Sequence, residues 1–300
     1  IILHFYTMKY KEKAILITFF SLWLSVYFKG PTQEVFALFL IFSLGIMHGS
    51  NDLFLISKFK TTSKPLKLLF FFSSYILTVL VASLLFYYIP IFALTGFIIF
   101  SAFHFGEQHW NEAKTKNLNF NRLLFLNYGL SVLFLLFALN SNATIEIIST
   151  LTGLLINEIW FSWIFFLNIT LFIIQAIIMT YKSYITWQEL LFELFLIIVF
   201  AIVFKTATLI WAFAIYFIFW HSIPSIFEQQ SFLYGEVSFK TFIRYIKSSF
   251  LIWLISISSM LILFIWLKDE AILLPLLFAF LGAITFAHSL TISKMFKSKK

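Results

Sequence analysis

The chain has 300 residues, is 61% hydrophobic and 11% charged, carries a net charge of +8 and lacks cysteine, with a mean hydropathy of +0.97. These values exclude a soluble domain, and the missing cysteine excludes disulfides and thiolate metal sites. The positive charge is spread over many short loops, a pattern of membrane orientation rather than of nucleic-acid binding. Apolar runs predict an all-α polytopic membrane bundle of about ten spans, near residues 14–28, 34–57, 67–89, 91–110, 122–140, 159–181, 187–204, 206–222, 246–267 and 271–293. Nothing separates them into soluble domains or repeats, so residues 1–300 read as one transmembrane domain. Met8-Lys9-Tyr10-Lys11 reads as a natural start, which makes residues 1–7 translated upstream sequence, and residues 1–13 together read as a disordered or non-native N-terminus. With the N-terminus inside, all but three of the 21 lysines and arginines fall on the cytoplasmic side, the exceptions being Lys29, Lys205 and Lys268. That bias places both termini in the cytoplasm, and the cell's inner (plasma) membrane is the expected location.

The second span carries a polar island, Gly45-Ile46-Met47-His48-Gly49-Ser50-Asn51-Asp52. Ionisable groups at membrane depth are costly and mark function by default. Gly45 and Gly49 have the small-xxx-small spacing that permits close helix approach. The fourth span holds His104 and His109, the eighth His221 and the tenth His288. All four spans run from outside to inside. His48 and His104 each precede a cytoplasmic lysine, Lys58 and Lys114, by ten residues, and His288 precedes Lys294 by six. His221 reads as lying near the inner end of its span, just before Pro224. At a rise of about 1.5 Å per residue the four rings fall in roughly one layer of the inner half of the bilayer. There they converge on one metal, or each serves as an interhelical hydrogen-bond donor; the pattern leaves both open. His109 is five residues beyond His104, a poor spacing for joint ligation, and reads as interfacial. His4 lies in the N-terminal stretch and reads as incidental.

A metal-bound imidazole usually donates its second N–H to a carboxylate or carbonyl. Asp52, at i+4 from His48, and Glu107, at i+3 from His104, are placed for that, and they are the intramembrane carboxylates expected. Neutral nitrogen donors without thiolate suit iron, zinc, copper or nickel. Clustered His-x-x-His-His pairs of the kind found in membrane desaturases are absent. A transporter, or a haem protein using two of the histidines, is the competing class.

The motifs Gly45-x-x-His48-Gly49-x-x-Asp52, Ser101-Ala102-Phe103-His104-Phe105-Gly106-Glu107, Trp220-His221-Ser222-x-Pro224 and Thr285-x-x-His288 resemble, in order, those of the Brp/Blh family of membrane β-carotene 15,15′-dioxygenases. The chain departs from that family at Ala287, where proline is typical. The resemblance implies iron(II) on His48, His104, His221 and His288. It also implies O₂-dependent cleavage of the central double bond of β-carotene into two all-trans-retinal. A long apolar tunnel is then required, for which Phe103, Phe105, Trp110, Trp220 and Phe286 are the candidates flanking the histidines, with lipid contact as their alternative role. A rhodopsin-type protein is the implied recipient of retinal.

Overall fold

The computed structural model describes the chain except residues 1, 60–64, 111, 112, 114, 268–272, 299 and 300, and except the side chains of residues 2–9 and 267. Lys60, Lys64, Lys114, Lys268, Lys299 and Lys300, which enter the charge bias, therefore lie outside the described residues, as does the side chain of His4. Helices account for nearly all of what is described, and no strand occurs among the described residues. They are α1 (Ile2–Tyr27), α2 (Gly30–Leu40), α3 (Ile46–Gly49), α4 (Asp52–Lys58), α5 (Pro65–Tyr88), α6 (Pro90–His109) and α7 (Leu118–Leu139). They continue with α8 (Ser141–Thr152), α9 (Ile159–Tyr181), α10 (Trp187–Thr206), α11 (Leu209–Ile215), α12 (Ile223–Tyr234), α13 (Phe239–Leu267) and α14 (Leu273–Ser298). Two π-helical turns, Ile41–Gly45 and Tyr216–Ser222, join α2 to α3 and α11 to α12.

Among the described residues, nine helical stretches are long and apolar enough to cross a bilayer, and the protein is a polytopic helical membrane bundle. They match the second to tenth predicted spans. The expected first span, 14–28, is not among them. It belongs to α1, where Lys11, Glu12 and Lys13 cut the apolar run to Ala14–Tyr27. At about 1.5 Å per residue that run reaches roughly 21 Å, short of a hydrocarbon core of about 30 Å. α1 also includes residues 2–13 of the stretch that the sequence reads as a disordered or non-native N-terminus. Outward side chains fit a lipid surroundings. On α5 alone Leu66, Leu69, Phe70, Ile76, Leu77 and Leu80 are exposed, and leaving each in water would forgo about 1.5–3 kcal/mol.

The eighth span is longer than expected. Pro224 reads as a helix end, yet the helical path continues from Leu209 to Tyr234. Proline lacks an N–H and crowds the carbonyl four residues back, which here is that of Trp220. The wider π-turn Tyr216–Ser222 absorbs this, and Ser222 Oγ donates to the Phe217 carbonyl, five residues back, at 2.8 Å. His221 therefore lies near the middle of its span rather than at the inner end. The other π-turn contains Ser43, whose hydroxyl donates to the Phe39 carbonyl at 2.7 Å, and Trp253 Nε1 donates to the Phe42 carbonyl at 2.7 Å.

The chain divides into two compact units: residues 1–17, 38–97 and 217–300, and residues 18–37 and 98–216. In the first, α14 runs along α5, and α3, α4 and α12 pack beside α13 and α14. In the second, α7 is central and pairs most extensively with α9 and α10. Asn117 caps α7 by accepting from the Asn119 and Phe120 N–H groups, and Thr186 and Glu189 form a capping box on α10.

Close backbone approach occurs in the second unit, between α6 and α7. A Cβ on Gly106 would overlap the Phe125 backbone, and one on Gly129 would overlap the Ala102 backbone. Gly45 and Gly49, for which such an approach is expected, face side chains instead. Their Cβ atoms would meet Phe217 Cε1 at 2.9 Å and His288 Nδ1 at 3.7 Å.

Candidate metal centre

Three imidazoles converge inside the first unit. His48 ends α3, His221 sits in the π-turn before α12, and His288 lies on α14; they are 5%, 2% and 3% exposed. One ring nitrogen from each lies within 4.8 Å of the other two. The ring centroids of His48 and His221 are 5.1 Å apart, and those of His48 and His288 4.7 Å, both edge to face. Phe217 stacks on His221 at 5.7 Å and meets His48 edge-on at 5.3 Å, so an aromatic face borders the cluster.

Hydrogen bonds fix two of the rings. His48 Nδ1 donates to the Gly45 carbonyl, one turn back on its own helix. His288 Nδ1 bonds both carboxylate oxygens of Asp52, at 2.8 and 3.0 Å, and Tyr75 donates its hydroxyl to Asp52 at 2.9 Å. With Nδ1 protonated in each, Nε2 keeps its lone pair. Asp52 is thus the partner of His288, not of His48 as the i+4 spacing predicts. The reason lies in the backbone: α3 stops at Gly49, Ser50 and Asn51 form a turn, and α4 restarts at Asp52, so the carboxylate leaves the face it would share with His48.

The donor set fits a divalent ion. It is buried and made of nitrogen donors, and in two of its rings the Nδ1–H is taken by an acceptor, which leaves Nε2 for a ligand role. Two nitrogens each about 2.1 Å from a shared ion lie no more than about 4.2 Å apart, so the rings need only a small inward turn.

His104, the fourth expected donor, lies in the second unit on α6 and is 1% exposed. Glu107 is buried on the same helix. His109 is enclosed by protein: its Nε2 lies 2.7 Å from Glu193 of α10, with both side chains at or below 6% exposure, and its ring stacks on Tyr128 at 4.6 Å. Glu193, and Glu228 on α12, are buried carboxylates beyond the two expected. Glu193 was visible as the one acidic residue amid the apolar run 190–204. Glu193→Leu is expected to cost about 1–3 kcal/mol by stranding the His109 donor, with Glu193→Gln costing less, as read from thermal unfolding in detergent.

None of the five expected tunnel residues is exposed. Trp110 is enclosed by Tyr128 and Phe172, Phe105 packs edge-on against Tyr216, and Phe103 meets Phe125. Trp220 is 6% exposed, and Phe286, half-buried, approaches the Gly96 backbone. Phe217, Tyr75, Tyr245 and Gln229 were not expected at the site; no spacing rule in the sequence links them to it.

A family model described as Beta-carotene 15,15'-dioxygenase matches residues 39–296, a stretch that contains all three clustered histidines and Asp52. No curated protein and no solved structure matches the chain significantly. The match spans most of the sequence, and the chain belongs to the beta-carotene 15,15'-dioxygenase family.

Proposed function

We propose that the protein is a multi-pass enzyme of the cell's inner membrane that cleaves the 15,15′ double bond of β-carotene with O₂ into two all-trans-retinal. The observation that carries this is the convergence of His48, His221 and His288 in a chain of this family. These three, with His104 as the fourth donor, would hold Fe(2+). Bound iron would supply the activation of dioxygen. The chain's own contribution is to hold and to exclude. Asp52, held by Tyr75, orients His288, and the Gly45 carbonyl orients His48. Glu107 is assigned the corresponding role for His104. Phe217 shields the cluster from water, which suits an apolar polyene drawn from lipid. Phe103, Phe105, Trp110, Trp220 and Phe286 are the proposed tunnel wall, and a rhodopsin-type protein the proposed recipient of retinal. Haem ligation fits less well, because His48 meets both His221 and His288 edge to face, which leaves no slot for a macrocycle between those rings.

Expression in a β-carotene-accumulating host tests the proposal. The expected result is loss of colour, retinal as the sole cleavage product and one iron per purified chain. Folded protein that yields no retinal, shows a Soret band or conducts metal into vesicles would overturn it.

A further inference from the structure

A buried polar network grips the main chain at His48, and it shares no residue with the Asp52–Tyr75 pair. Gln229 Nε2, on α12, donates to the His48 carbonyl at 2.8 Å. The Tyr245 hydroxyl, on α13, is shared between the same carbonyl at 3.1 Å and Gln229 Oε1 at 3.0 Å. Asn51 Nδ2 donates to the Tyr245 carbonyl at 3.1 Å, and Ser248 Oγ donates to Asn51 Oδ1 at 2.8 Å. Asn51, Gln229 and Tyr245 are each 0% exposed.

A network of this kind is costly to bury unless its members are satisfied, and here they satisfy one another across three elements. Its point of action is informative. In an unbroken helix the His48 carbonyl would accept from the Asp52 N–H, and Asp52 would stand over His48. Two side-chain donors occupy that carbonyl instead, and Asn51 is tied to α13 with φ −94° and ψ 3°.

We infer that Tyr245 and Gln229 are positioning residues for the metal centre. By holding the His48 carbonyl they keep the Ser50–Asn51 turn open, and the open turn delivers the Asp52 carboxylate to His288. Without them the helix closes over the turn, Asp52 swings back toward His48, and His288 loses its orienting partner. The inference rests on the proposed metal-binding role of the histidine cluster.

The test is metal binding by purified protein, without substrate. Iron is removed, cobalt(II) is titrated in, and affinity, absorption spectrum and release to a chelator are recorded for wild type, Tyr245→Phe and Gln229→Met. Tyr128→Phe, which removes an equally buried hydroxyl from the other unit, is the control for stability alone. The expected result is an affinity about 10-fold lower in both variants, with faster release and an altered cobalt spectrum. Tyr128→Phe should leave all three at wild-type values despite a similar fall in melting temperature. Wild-type affinity and spectrum in folded Tyr245→Phe and Gln229→Met overturn the inference while leaving the proposed function standing. A wild-type protein that binds no cobalt or iron overturns both.

Discussion

His288→Ala is expected to reduce retinal formation to background and to strip most of the iron, whereas Asp52→Asn should keep the metal and lose only part of the activity. The contrast follows from what each change removes. Alanine in place of His288 deletes a proposed ligand on α14 and leaves Asp52, which is 1% exposed, with the Tyr75 hydroxyl but without its imidazole donor. Losing a hydrogen-bond partner at so buried a carboxyl is destabilising. In Asp52→Asn the new amide retains an oxygen for the His288 Nδ1–H and an NH₂ group toward Tyr75, so the ring keeps its tautomer but loses the neighbouring negative charge. Asp52→Ala removes both. Orienting partners of metal-bound histidines typically contribute about 10–100-fold in affinity or activity. Asp52→Asn should fall near the lower limit and Asp52→Ala near the upper. Iron per chain and retinal yield, measured on the same membranes, separate the three outcomes. Equal activity in Asp52→Ala and wild type would dissociate this pair from the chemistry.

Gly106→Ala is expected to be among the glycine substitutions most damaging to folding. The added Cβ would overlap main-chain atoms of Phe125, and backbone offers no rotamer by which to move aside. Overpacking usually costs about 1–3 kcal/mol; with a rigid neighbour on both sides of the crossing the cost should exceed that range. A marginal stability of about 5–15 kcal/mol then makes poor accumulation in the membrane the expected phenotype. Gly129→Ala should behave alike, since its Cβ meets the Ala102 backbone. Gly49→Ala is the contrast: its nearest neighbour, at 3.7 Å, is in ordinary contact, and the protein should accumulate normally. Fluorescence-detected size exclusion of the three variants provides the comparison.

Much of the architecture was legible in hydropathy alone, because an unbroken apolar run in a bilayer has few structures open to it. The exceptions are instructive. Residues 14–28 are not among the stretches long and apolar enough to span, because three charges shorten the run. Pro224 read as an end because proline usually is one, and only the π-turn upstream lets the helix pass it. The histidines that cluster, His48, His221 and His288, carried a signal because ionisable groups are rare in such a chain. Their partners carried less. Asp52 was read onto His48 by a spacing rule valid only for continuous helix, and the break at Ser50–Asn51 cancels that rule. Tyr75, Gln229 and Tyr245 come from helices remote in sequence, and only the packed tertiary structure pairs them with the site. Glu193 was legible as a lone carboxylate in an apolar segment, but its function as the partner of His109 was not.

The three clustered rings are mounted differently. α14 is an uninterrupted 26-residue helix, and Ala287 keeps the main-chain donor just before His288. His48 and His221 hang from segments wound with wider turns and short stubs of α-helix. Ions of different radius would therefore be met by a stationary post and two compliant arms. Exchange of one metal for another should register as displacement at residues 46–49 and 216–222, while the coordinates of residues 284–292 stay put.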